Sequence, residues 1–185
     1  YILPNLSGQV RYKIDRSKAL TTRYNYSVSL PSSNQLLPVV NLSNPLNTIT
    51  GNPDLKPNEK HSATINYRNF DFRTRSSYNI YANADFYASE IITSSIYDVD
   101  RKRKTTYENI SGTYSISGGG SWNKSIKQES NLLRYGISLN GNFSTSKGFT
   151  DGILFDAVST GISPRIYMNY DYGEFFTLAP SYNFS

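Results

Sequence analysis

The chain contains no cysteine, which excludes a disulfide scaffold, a thiolate zinc site and a cysteine nucleophile. It has no run of about 18 apolar residues, so it holds no transmembrane helix. Histidine is almost missing too, with His61 the single example. Without a His or Cys cluster or a spaced carboxylate motif, neither a metal site nor a cofactor is expected. No glycine loop leads into a helix to cradle phosphate. His61 heads an expected strand, where a solvated rim histidine is the ordinary role, and no nucleophile and orienting partner can be matched to it. The chain is therefore expected not to be an enzyme.

What fills the space is tyrosine: 16 of 185 residues, with one Trp, and aromatics at 14%. Ser, Thr and Asn make up much of the remainder, and helix formers are thin, so the composition is all-β. The mean hydropathy of −0.51 would by itself describe a soluble protein. The pattern along the chain argues otherwise.

That pattern has a period of two. From Leu20 to Leu30, Leu20, Thr22, Tyr24, Tyr26, Val28 and Leu30 alternate with Thr21, Arg23, Asn25, Ser27 and Ser29. Tyr78, Ile80, Ala82, Ala84, Phe86 and Ala88 alternate with Asn79, Tyr81, Asn83, Asp85 and Tyr87; Leu133, Tyr135, Ile137, Leu139, Gly141 and Phe143 oppose Arg134, Ser138, Asn140 and Asn142. No helical period competes. Weaker repeats give about eight strands, near residues 6–15, 19–30, 60–70, 74–95, 105–122, 131–146, 158–170 and 174–185. In the first, Val10, Tyr12 and Ile14 oppose Gln9, Arg11 and Lys13. Gly118 to Gly120 are expected to mark a bend or close packing, and Pro164 and Pro180 interrupt the last two strands.

A soluble sandwich would also alternate, but its core would favour Val, Ile and Leu. These faces carry Tyr near strand ends, as the interfacial girdles of a membrane barrel do. Connections alternate in length: 16–18, 71–73 and 171–173 are short, whereas 31–59 is long and 97–104 longer than the turns. That asymmetry fits tight periplasmic turns and extended external loops. The expected fold is an all-β, antiparallel transmembrane β-barrel, the one architecture besides the helix that pairs every backbone group in hydrocarbon. One face would meet outer-membrane lipid and lipopolysaccharide. The other would line a polar lumen, where Arg11, Arg23, Arg68, Asn79, Asn83, Asp85, Arg134, Asn140 and Arg165 are candidate contacts for a solute or plug; plain solvation is their default role.

The net charge of +5 is spread singly along strands, apart from Arg101, Lys102, Arg103 and Lys104 beside Asp98 and Asp100. A solvated loop tip explains that cluster better than a dedicated anion site. No nucleic-acid partner is expected.

The most specific word lies in the long loop: Gly51-Asn52-Pro53-Asp54-Leu55-Lys56-Pro57, preceded by Asn44-Pro45-Leu46. It resembles the GNPxLKPE segment of TonB-dependent outer-membrane receptor barrels, especially the receptor-like families abundant in Bacteroidetes, with Glu59 one place later than usual. Gln35-Leu36-Leu37-Pro38 and Tyr107-Glu108-Asn109-Ile110-Ser111-Gly112 are similar to the same barrel region, so the resemblance covers about the first two-thirds of the chain. Physically the word reads as structural: each proline holds its predecessor extended, Gly51 permits a turn and Leu55 can pack the loop onto the rim. The resemblance implies uptake of an iron chelate, a vitamin or a glycan from outside a Gram-negative cell. It also implies a plug domain, TonB and a surface lipoprotein as partners, and a barrel of 22-stranded type. With about eight strands, no plug and a start at Tyr1 without a signal segment, residues 1–185 are expected to be one barrel sector. The alternative is a small closed barrel acting as a structural or interaction component of an envelope complex.

Overall fold

The structure, a computed structural model, describes residues 3–41, 44 and 46–184; Pro45 of the loop segment and Ser185 of the last expected strand lie outside them. The wall consists of β1 (Leu6–Lys13), β2 (Lys18–Ser29), β5 (Asn58–Asp71), β6 (Ser76–Tyr97), β8 (Thr113–Gln128), β9 (Asn131–Thr150), β10 (Ile153–Tyr172) and β11 (Phe176–Leu178). Neighbours along that path are hydrogen-bonded and antiparallel. The short helix α1 (Ser33–Leu36), β3 (Val40–Asn41), β4 (Asn47–Thr50) and β7 (Arg103–Ile110) belong to the long-loop rim, and β12 (Ser181–Asn183) extends the outer edge. Among the described residues the sheet stays open, with β1 at one edge.

Alternation in the sequence becomes two chemically distinct faces because the register keeps parity across the wall. One row runs Val10, Thr22, Ile65, Ala82, Gly118, Gly141 and Ile162; the next on the opposite face runs Arg11, Thr21, Asn66, Tyr81, Gly119, Asn140 and Ser163. Exposure is inverted relative to a soluble protein. From Ser77 to Phe86 the apolar side chains are the exposed ones and the polar ones are half-covered, with Ile80 57% exposed. No large side chain is fully buried among the described residues. Such an apolar exterior is unstable in water and at home in lipid.

The apolar face carries aromatics at two levels. Near the rim, Tyr26, His61, Phe86 and Tyr114 share one register row. His61 lies 4.8 Å from the Tyr26 ring, and its Nδ1 is 2.7 Å from the Tyr24 hydroxyl. His61 thus sits within an aromatic row of the apolar face rather than on a solvated rim. Towards the tight turns Tyr78 pairs with Trp122, which meets Tyr135 edge-on at 5.7 Å. Tyr78 and Phe86 are eight residues apart on β6, roughly 27 Å along a strand. Tilted by about 40°, that separation is comparable with an apolar band of about 25 Å.

Several strand bounds differ from expectation, each for a local reason. The strand expected at 105–122 is interrupted at Ser111-Gly112, where Gly112 takes φ 79°. β7 and β8 nevertheless share one register against β6, with Glu90 opposite Ile110 and Tyr87 opposite Thr113. Gly118 to Gly120 mark no bend; β8 runs through them. β9 and β10 reach further than their periodicity signalled, to a two-residue turn at Asp151 (φ 51°) and Gly152 (φ 75°), the left-handed pair that a tight hairpin demands. The final strand is divided at Ala179-Pro180 into β11 and β12, again in one register against β10. Pro164 is tolerated within β10 because its carbonyl accepts the Phe184 N–H at 3.0 Å. Its bare nitrogen therefore faces that outer strand and costs the β9 ladder nothing.

Candidate functional site: the polar face and its rim

All nine lumen candidates fall on the polar face in register. Lys13, Ala19, Arg68, Asn79, Ser121, Ser138 and Arg165 form one row, Gln9, Arg23, Thr64, Asn83, Ser117 and Asn142 another. Most of these groups are occupied by neighbours. Arg23 donates to Gln9 Oε1 at 2.6 Å, Asn66 donates to Asn79 at 3.1 Å, and Asn83 donates to Ser117 at 3.4 Å. Asp85 pairs with Lys60 at 3.1 Å, Arg134 with Asp171 at 2.6 Å, and Arg165 lies 5.8 Å from the Tyr167 ring. Arg11 and Arg68 instead line a cleft at the tight-turn end, of about 560 Å³.

Two three-strand clamps organise this face, one near its middle and one towards the tight turns. Tyr81 lies opposite Gly119, which lies opposite Asn140, and the Tyr81 hydroxyl donates to Asn140 Oδ1 at 2.8 Å. In mirror order, Tyr167 lies opposite Gly136, which lies opposite Asn123, and the Tyr167 hydroxyl donates to Asn123 Oδ1. The glycines make room for this. A Cβ on Gly119 would sit 2.4 Å from Asn140 Oδ1 and 2.6 Å from the Leu139 carbonyl; one on Gly136 would sit 2.9 Å from the Tyr167 ring. Glycine in a strand often marks such a close approach. The sequence signals a reason for Gly119 only loosely and none for Gly136.

The loop word is a latch. Asn52 donates to the Tyr107 carbonyl at 2.8 Å. The Lys56 N–H donates to Asn109 Oδ1 at 2.8 Å, and Asn109 Nδ2 returns a bond to the Lys56 carbonyl at 2.9 Å. Asn58 Oδ1 accepts the Ile91 N–H at 2.7 Å. Gly51 donates to Leu37 and Asn52 to Gln35 through their backbones, and a side chain at Gly51 would meet the Leu37 carbonyl at 2.3 Å. Leu55 is buried; Asp54 N–H donates to Asn52 Oδ1. The three sequence segments that share the resemblance, 35–38, 51–57 and 107–112, thus meet through their backbone and amide groups. The buried polar residues Ser94, Ser95, Thr105 and Thr113 also belong to this region. The expected long loop is therefore a packed rim, with β4 parallel to β7.

The basic hairpin tip is compensated in part. Lys102 pairs with Asp100 at 3.4 Å and Lys104 with Asp98 at 3.8 Å, while Arg103 Nε donates to Ser95 at 2.9 Å. Asp98 is held below the usual carboxylate range, chiefly by the Lys102 backbone N–H. Among the described residues no group of three His, Asp or Glu side chains converges as a metal site would require.

A sequence model described as an outer membrane protein beta-barrel family matches residues 2–185. No curated protein and no solved structure matches the chain.

Proposed function

Because this chain belongs to the outer membrane protein β-barrel family, we propose that it forms part of the wall of an uptake receptor driven by TonB. The apolar face meets lipid and lipopolysaccharide in the outer membrane; the polar face meets a plug domain and the passing nutrient, an iron chelate, a vitamin or a glycan. The latch made by Gly51 to Asn58 against the β6–β7 hairpin carries this reading, since it is the segment whose wording resembles receptor barrels. A rim so tied is a rigid platform for external loops and a surface lipoprotein. The tight turns face the periplasm.

Open edges support a wall that continues beyond these strands. β1 and the stretch of β10 before Pro164 have an edge without ladder partners among the described residues, and in hydrocarbon such groups must be paired. A second reading has its own support: the wall path is eight strands wide, enough for a small closed barrel filled by side chains. That version would be a structural or interaction component of the envelope. Neither version assigns catalysis.

Intact mass of the native protein extracted in detergent, with peptide coverage, decides between them. A chain several times heavier with an added plug segment is the expected result. A mass near 21 kDa, still requiring detergent, would replace the receptor by the small barrel.

A further inference from the structure

We propose that the tight-turn end of the polar face holds a site for a small, multiply charged oxyanion bearing two or more phosphate or carboxylate groups. The inference rests on the reading of this face as a water-filled lumen, and not on transport. Register creates the site from residues that are dispersed in sequence. Lys13 and Arg68 flank Ala19 in one row, so their backbones lie roughly 10 Å apart, two strand spacings. Arg11 is the next residue on the same face of β1, about 7 Å along it, and Arg16 closes the cleft from the turn. Ala19, between the two long cationic arms, contributes only a methyl group. A floor of that kind leaves room for an anion held between the arms.

Compensation is sparser in this cluster than in the denser basic run at 101–104, where two of the four cations have a carboxylate. Asp15 is the one carboxylate lining the cleft. Its Oδ1 accepts the Ser17 and Lys18 backbone N–H groups, and its Oδ2 pairs with Lys18 at 3.4 Å. Among the described residues Arg11, Lys13, Arg16 and Arg68 form no ion pair. Elsewhere on the face Lys60 and Arg134 each have a carboxylate. Four uncompensated cations around one concavity repel one another, and a polyvalent anion relieves that repulsion. Spacing over roughly 10 Å favours several anionic groups over a single one.

The test is calorimetric titration of the protein, purified in detergent at low salt, with tripolyphosphate and separately with citrate. Saturable binding is expected, weakened about tenfold or more in the Lys13→Gln, Arg68→Gln double variant, as for loss of close charge pairing. Lys102→Gln with Lys104→Gln removes the same net charge at the rim and is expected to leave affinity within about twofold, because that distance exceeds the screening length. Equal weakening by both pairs, or no saturable binding, overturns the site. Binding of a polyglutamate peptide without binding of tripolyphosphate also overturns it, in favour of an acidic protein segment. Labelling of Thr21→Cys by a charged maleimide separates two kinds of failure: a labelled protein that binds nothing loses only the site, and an unlabelled one loses the water-filled face as well.

Discussion

Tyr81 and Asn140 are joined across an intervening strand, hydroxyl to amide oxygen at 2.8 Å, directly above Gly119. Replacement of that glycine by valine forces side-chain atoms into a backbone carbonyl that cannot retreat without disturbing the ladder. Gly119→Val is expected to destabilise the protein by about 1–3 kcal/mol, the usual cost of overpacking. Gly120→Ala, where the nearest atom to a new Cβ is 3.6 Å away, should change stability by less than about 0.5 kcal/mol. Urea unfolding in lipid vesicles checks both.

Lipid and lumen faces respond oppositely to charge. Ile80→Arg places a guanidinium among the exposed apolar side chains of the outer face, two residues inside the aromatic level of Tyr78, and should cost about 1–3 kcal/mol, between the interfacial and midplane values. Asn79→Lys, one residue earlier and facing the other way, should fold with near-normal stability. Equal tolerance of the two in vesicle-based unfolding would reverse or abolish the assignment of faces.

The rim latch turns on Asn109, which exchanges two hydrogen bonds with Lys56. Asn109→Ala should loosen residues 30–57 while leaving the wall intact, at a cost of about 1–3 kcal/mol for two lost bonds. Faster hydrogen exchange and protease cutting confined to that segment are the expected signs.

Acid should loosen one turn before the wall. Hydrogen bonds from the Ser17 side chain and backbone lower the Asp15 pKa from 3.8 to about 2. Because the folded value is the depressed one, the stabilisation is complete above about pH 4 and fades as pH falls towards 2. The advantage of the natural protein over Asp15→Ala should therefore be constant in neutral and mildly acidic buffer and vanish near pH 2, in a pH series of unfolding curves.

Period-two alternation made the wall legible because each strand has two different solvents, and parity survives across an antiparallel register. The faces of Arg23, Asn83 and Asn140 could be assigned for that reason. Breaks in the ladder were harder to read. Ser111-Gly112 interrupts a strand whose register does not change, so the residues on either side keep the same alternation and leave no trace in it. β3 and β4 are two and four residues long, too short to show a period at all. The Tyr81 and Tyr167 clamps depend on residues brought together across three strands, and only the pairing of those strands exposes them. The same holds for the uncompensated cations. Local density in sequence pointed to residues 101–104, two of which are paired with aspartates, whereas Lys13 and Arg68 are 55 positions apart by their numbering.

β6 serves two neighbourhoods. Its first half is held between β5 and β8, and its last residues lie between β7 and β9, where Ser94 and Ser95 run parallel to Phe149 and Thr150. Descent with modification should treat these halves differently. Deleting one residue within 76–87 would turn following side chains to the wrong solvent, so wall segments are free to change length only in steps that preserve parity. Tip residues 98–102 carry no such arithmetic. Lineages of this barrel can therefore lengthen, shorten or replace their hairpin tips one residue at a time while inheriting the wall unchanged.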